Sequence, residues 1–100
     1  MTLKTAQSFK YQGNDWWKWS VWIDGAKADL DRIEYVTYRL HPSFPNPVRT
    51  VNDRESKFRL DAHGWGTFPI QVRIVSNTGK VIKLTHDLLL EYRDGTVPTA

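Results

Sequence analysis

Ile33-Glu34-Tyr35-Val36-Thr37-Tyr38-Arg39-Leu40 runs straight into His41-Pro42-Ser43-Phe44-Pro45-Asn46-Pro47. In the first half, Val36, Tyr38 and Leu40 fall on one side and Thr37 and Arg39 on the other. That period of two, rich in aromatic and β-branched residues, predicts a strand with one buried face. The second half cannot continue it. Pro42, Pro45 and Pro47 each fix φ and remove a backbone donor, and each holds the residue before it in an extended conformation. A stiff loop carrying an imidazole, a hydroxyl and a phenyl ring is a good mount for a binding site, because little conformational freedom is lost when a ligand arrives.

The same period recurs on both sides of this stretch. Upstream, Trp17, Trp19, Val21 and Ile23 alternate with Lys18, Ser20, Trp22 and Asp24, giving an earlier strand. Asp24-Gly25 opens a loop, and residues 26–31 hold at most one helical turn. Residues 1–14 read as polar and irregular, a tail or a short edge strand, with a turn signal at Gly13-Asn14. Downstream, Val48 to Val51 form a short strand and residues 52–55 a charged turn. A strand from Lys57 to Asp61 follows, with Phe58 and Leu60 inward. After Gly64-Trp65-Gly66 comes a long strand on Phe68, Ile70, Val72 and Ile74, whose start at Pro69 has no ladder donor. Residues 76–79 make a hairpin turn. Val81 to Tyr92 return with Ile82, Leu84, His86, Leu88 and Leu90 on one face, and residues 95–100 look frayed. Six or seven strands with turn signals between them predict an all-β fold, a sandwich or a small barrel. A buried Trp19 on an early strand favours an immunoglobulin-like antiparallel β-sandwich.

Composition narrows the chemistry. The chain has 100 residues, the size of one domain, expected to span residues 1–100 with its core at about 15–92. It has no cysteine, which excludes disulfides, thiolate metal sites and a cysteine nucleophile. No apolar run is long enough to span a membrane and no signal-peptide pattern opens the chain, so a cytoplasmic location and no membrane contact by this segment are expected. The net charge of +3 permits an acidic partner without requiring one.

Three constellations are worth weighing. Ser43 with His41, His63 or His86 lacks a nucleophile elbow and an oxyanion-hole glycine, and residues two apart on an extended loop need not face one another; no enzyme activity is expected. The three histidines are scattered without ligand spacing, so neither a metal nor another cofactor is expected. His86 is better explained as a hydrogen-bonded core histidine. The third is aromatic. Glycines on either side of Trp65 permit unusual backbone angles and close approach, and leave the Trp65 N–H free for a ligand. If this loop lies beside residues 42–45, Trp65 and Phe44 bound a flat apolar slot suited to a planar amide, with Ser43 and the Trp65 N–H as hydrogen-bonding groups. The competing reading makes both rings plugs at one end of the sandwich.

The segments Trp17–Ile23, Ile33–Arg49 (with LHPSFPNPVR), Gly64-Trp65-Gly66-Thr67-Phe68 and His86–Leu90 together resemble the YEATS domain, and Asp53–Leu60 with the double-Trp entry resembles its prokaryotic branch. The resemblance implies an immunoglobulin-like sandwich and a non-enzymatic reader of acylated lysine; nuclear members take acetylated and crotonylated lysine into an aromatic slot open at both ends. Carried over by motif, Phe44 and Trp65 are its walls, Ser43 bonds the acyl amide and the Trp65 N–H its oxygen. His41 orients the loop or lines the slot, Phe68 floors it, and Gly64 and Gly66 shape the Trp65 turn. Nuclear members carry His where Trp17 stands, a paired proline at Ser56-Lys57, an acidic residue at Thr67 and a pocket aromatic at Asp15, where neighbouring Trp16 can substitute. Prokaryotic members resemble modules attached to signalling or membrane domains, so the implied partner is an acylated peptide or protein, with other domains of a longer protein possible. A methyl-lysine cage is the nearest rival; it needs more rings and a carboxylate, and Ser43 favours an amide. Single-stranded nucleic acid is a weaker rival, with Trp16, Trp17 and Trp22 as stacking platforms and Lys18, Arg49 and Arg73 for phosphates. A structural interaction domain is the third.

Overall fold

The computed structural model describes residues 2–98; Met1, Thr99 and Ala100, at the ends read as a tail and as frayed, lie outside them. Two antiparallel sheets face each other. One has the order β1-β2-β5, from Lys4–Gly13, Trp16–Asp24 and Leu60–Gly64. The other has the order β4-β3-β6-β7, from Val48–Val51, Ile33–Arg39, Pro69–Ser76 and Val81–Asp87. A single turn of helix, α1 (Lys27–Leu30), carries the chain from the first sheet to the second and buries Leu30. This is the immunoglobulin-like sandwich that the alternation predicts.

The core is where the inward faces meet. Trp17, Trp19, Val21 and Ile23 of β2 are all buried, as are Ile33, Val36 and Tyr38 of β3 and Ile70, Val72 and Ile74 of β6. Burying large rings and branched chains is what holds a domain of this size together, at roughly 1.5–3 kcal/mol for each aliphatic side chain. Tyr38 adds a polar tie: its hydroxyl donates to the Phe58 carbonyl at 2.6 Å, and burial pushes the phenol far above its usual range.

Three expectations need correction, and one that allowed two alternatives is decided. Residues 4–13, read as a tail or a short edge strand, are an edge strand ten residues long, paired with β2 from Lys4↔Asp24 to Gly13↔Trp16. Its inward positions include Thr5 and Gln7, polar residues that broke the apolar period. They are satisfied by His86, whose Nδ1 accepts from the Thr5 hydroxyl at 2.7 Å while its Nε2–H donates to Gln7 Oε1 at 2.7 Å. His86 is therefore a hydrogen-bonded histidine, as expected, and it joins β7 to β1 across the open edge of the sandwich.

The strand expected at Lys57–Asp61 starts only at Leu60. Lys57 and Phe58 take φ of 61° and 59°, in a turn closed by Phe58 N–H to the Asp53 carbonyl at 2.9 Å. Phe58 is inward, but as a left-handed plug. The strand instead runs on through His63 to Gly64. At the other end β7 stops at Asp87 rather than Tyr92. Leu88 and Leu90 stay buried in an irregular segment, held where Gln7 bonds both the N–H (2.9 Å) and the carbonyl (2.6 Å) of Leu89. Beyond it Tyr92 and Thr96 close a tight turn, Tyr92 N–H to Thr96 carbonyl at 2.8 Å, within the stretch read as frayed.

Pro69 fits its place. It is the first residue of β6, and the β6 ladder to β3 begins only at Gln71, so no ladder donor is missed.

Candidate functional site: an aromatic cavity between two loops

The proline loop is pinned at its base by the Leu40 N–H on the Pro47 carbonyl at 2.7 Å. Within it, the Phe44 N–H closes a turn on the His41 carbonyl at 3.0 Å. Arg49 braces the far side: its guanidinium donates to the Pro45 carbonyl at 3.1 Å and lies 5.8 Å from the centre of the Phe44 ring. Every one of these ties is local, so the loop is set before any ligand arrives.

His41 and Ser43 do meet, against the expectation that they need not. Nδ1 of His41 lies 2.8 Å from the Ser43 hydroxyl and 3.1 Å from the Ser43 backbone N–H. The backbone N–H can only donate, so Nδ1 is the acceptor nitrogen and the imidazole proton sits on Nε2. The Ser43 hydroxyl then also donates to Nδ1. That leaves its oxygen lone pairs facing outward as acceptors, suited to an amide N–H.

Phe44 rests on a ring cluster. Its centroid is 5.3 Å from Phe68 and 6.2 Å from Trp19, and Phe68 is 6.0 Å from Trp19 and 6.1 Å from His41, all in tilted or edge-on geometry. Such edge-to-face contacts are the preferred arrangement of aromatic quadrupoles. Trp19 ends this stack at the bottom with its indole N–H buried and without a partner.

The second loop follows β5. A methyl group at Gly64 would sit 3.4 Å from the tip of Phe44, so the absent side chain is what lets β5 approach the ring. Gly66 has open space around it. Neither takes a positive φ, so the unusual backbone angles expected of the pair are not what they supply. Between them Trp65 is 62% exposed, and among the described residues no loop or turn hydrogen bond uses its backbone N–H.

These pieces surround one cavity of about 500 Å³. His41, Ser43 and Phe44 line it from the proline loop, and Gly64, Trp65, Gly66 and Phe68 from the second loop and its exit, so all the residues singled out from sequence are brought together. Trp16 lines it as well, with its ring 5.5 Å from that of His63 at one mouth; Arg49 stands at the other side of Phe44. Sequence reasoning missed His63 at the mouth and the Trp19 ring that supports Phe44 and Phe68 from behind the cavity lining. The alternation signal gave Trp19 only as core, and His63 lay beyond the strand end assigned to it.

Trp17 is no stacking platform. It is wholly buried, donates its indole N–H to the Glu91 carbonyl at 2.8 Å, and packs against Tyr11 and Tyr92. Trp22 is only half-exposed, which leaves Trp16 alone of the three at the surface. The histidines do not converge, and among the described residues no group of His and carboxylates could hold a metal ion.

A β-sandwich whose loops enclose an open, aromatic-walled cavity with free hydrogen-bonding groups at its rim defines a class of small recognition modules. The chain belongs to the prokaryotic YEATS domain family, whose model matches residues 17–89. Among curated proteins it is 30% identical over 87 residues to the AF-9 homolog of Saccharomyces cerevisiae, covering 82% of this chain and 38% of that one. The AF-9 homolog of Candida glabrata is 38% identical over 77 residues, covering 72% of this chain and 34% of that protein. The chain thus spans little more than a third of the length of these relatives. Among solved structures, the Yaf9 YEATS domain recognising an H3K122suc peptide superposes with a TM-score of 0.66 at 28% identity, over 89% of this chain and 67% of that one. The Yaf9 YEATS domain bound to H3K27ac shares the fold at a TM-score of 0.73 and 21% identity, over 98% of this chain and 82% of that one. YEATS domains are binding modules, and these neighbours are peptide binders.

Proposed function

We propose that this domain is a non-enzymatic reader that takes an acylated lysine, or a similar planar amide, into the cavity between Phe44 and Trp65. The observation that carries the reading is the convergence of the two loops on one aromatic cavity, with two amide-complementary groups left free at it. The Ser43 oxygen accepts the amide N–H and the Trp65 backbone N–H donates to the acyl oxygen. Phe44 and Trp65 flank the acyl plane and Phe68 lies beneath. His41 holds the Ser43 hydroxyl in the accepting orientation, and Gly64 keeps the space beside Phe44 open. The acyl-peptide ligands of the Yaf9 neighbours support the same chemistry here.

Burying ~100 Å² of apolar acyl surface is worth about 2.5 kcal/mol. Two hydrogen bonds add about 1 kcal/mol each, and association costs remove much of the total. The binding is therefore micromolar or weaker. An unmodified lysine would have to shed water from its ammonium against apolar rings and is rejected. The partner is an acylated peptide or protein, met in the cytoplasm; the whole of residues 1–100 acts as one such module, alone or attached to further domains.

Calorimetry of the wild type, Ser43→Ala and Trp65→Ala against acetyl-, crotonyl- and unmodified-lysine peptides tests this. Acyl-dependent binding by the wild type, weakened in both variants, is the expected result. Equal heats for acylated and unmodified peptides would remove the reading.

A further inference from the structure

The outer face of the first sheet carries two facing lysines with an imidazole beside them, and nothing in the fold neutralises the lysines. Lys10 on β1, Lys18 on β2 and His63 on β5 are direct cross-strand neighbours, and all three side chains are exposed. Like charges placed opposite each other on a sheet are unfavourable. The carboxylates on this face are already engaged: Asp24 pairs with Lys4 at 3.7 Å, and Asp61 with Arg59 at 2.6 Å, with the Ser20 hydroxyl on the same carboxylate oxygen. Among the described residues, Lys10 and Lys18 have no acidic partner.

The row also leads somewhere. A groove of about 430 Å³ runs over this face between Lys10, Lys18 and His63, and Asp61, Ala62 and His63 border both it and the aromatic cavity. The two spaces therefore share β5 as a common wall. A ligand chain leaving the cavity at the His63–Trp16 mouth passes directly onto the basic row.

We propose that this row docks an acidic segment of the same chain that carries the acylated lysine, so that the domain selects acyl-lysine in an acidic context. The inference rests on the reader function above. Strands are spaced ~4.8 Å apart, which puts Lys18 and Lys10 at about 5 and 10 Å from the mouth. An extended peptide advances ~3.3 Å per residue, so these distances correspond to about one and a half and three residues past the mouth. The nearest positions whose side chains share a face are the second and fourth from the modified lysine. Charge complementarity at a rim of this kind adds modest affinity and much selectivity against basic chains. With Trp17 buried and Trp22 half-exposed, Trp16 alone of the three rings is left for stacking. A nucleic-acid strand needs successive platforms, which favours peptide over nucleic acid.

The test is fluorescence anisotropy with two labelled acetyl-lysine peptides that differ only in Glu or Gln at the second and fourth positions from the lysine, read in low and high salt. The Glu peptide should bind about fivefold tighter in low salt, from two exposed charge pairs, and the advantage should fade in high salt. The variant Lys10→Gln/Lys18→Gln should bring the two peptides within about twofold. The control Arg73→Gln/Lys83→Gln removes the same charge from a cross-strand pair on the other sheet and should leave the preference intact. No preference in the wild type, or equal loss in both variants, overturns the inference while leaving acyl recognition standing. A Glu peptide that binds equally well with and without its acetyl group overturns the reader function, and this inference with it. Tighter binding of a single-stranded oligonucleotide, lost in Lys10→Gln/Lys18→Gln, assigns the row to nucleic acid and overturns the inference.

Discussion

Removing the Ser43 hydroxyl is the most informative single change in the site. The imidazole Nδ1 already accepts the Ser43 backbone N–H at 3.1 Å, so the hydroxyl proton is committed to it at 2.8 Å and the oxygen is presented as an acceptor. In Ser43→Ala the ligand amide loses that partner. A neutral hydrogen bond is worth about 1 kcal/mol net, and an amide N–H left unpaired in the cavity raises the loss to about 2 kcal/mol. Affinity for an acetyl-lysine peptide should therefore fall about fivefold to thirtyfold. Ser43 is exposed, and the backbone bonds from Leu40 and Phe44 that set the loop do not involve its hydroxyl, so stability should change by less than ~0.5 kcal/mol. Calorimetric titration with thermal melts of both proteins reads both quantities. Affinity unchanged within about twofold would refute the role given to the hydroxyl. Affinity lost together with a large drop in melting temperature would make the residue structural instead.

Gly64→Val puts branched methyls against the tip of Phe44, which a Cβ alone already approaches to 3.4 Å; acyl-peptide binding should drop by at least about tenfold with little change in melting temperature, because the backbone there suits any residue. Tyr38→Phe leaves the Phe58 carbonyl without its buried donor and should cost about 2 kcal/mol in denaturant unfolding, with acyl binding unaffected. His86 titrates below the usual 6.5 in the folded protein, because burial disfavours its charged form more than nearby Asp87 favours it. The unfolded chain takes up that proton first, so its contribution to stability is full above pH 6.5 and is lost as the pH falls below it. Chemical denaturation from neutral pH downwards should show this loss in the wild type and not in His86→Gln.

The strands that the sequence makes plain are those whose inward positions are all apolar. Trp17, Trp19, Val21 and Ile23 announce β2, and Ile70, Val72 and Ile74 announce β6. β1 was hidden because its inward Thr5 and Gln7 are satisfied by His86, eighty residues away in a contact that no local window contains. Phe58 misled for the opposite reason: it is apolar and buried, yet reaches the core through a left-handed turn, where the period of two has no meaning. Leu88 and Leu90 kept the alternation going past Asp87, although side-chain bonds from Gln7 have replaced the ladder.

The site divides in the same way. Its rim was legible because the proline loop and the Gly-Trp-Gly turn are local motifs with their own constraints. The mouth at His63 and the Trp19 ring that supports Phe44 and Phe68 were not, since both are placed only by the pairing of β2 with β5.

The central claim is that an acyl amide enters between Phe44 and Trp65 and takes its hydrogen bonds from Ser43 and the Trp65 backbone. Titrating the isotopically labelled protein with acetyl-lysine and with lysine, each with its ends blocked, tests this by amide chemical shifts. Acetyl-lysine alone should move the amides of Ser43, Phe44, Gly64, Trp65 and Gly66, with the Trp65 amide shifting downfield as it gains an acceptor. Shifts confined to the outer sheet faces, or the same shifts with unmodified lysine, would contradict the claim.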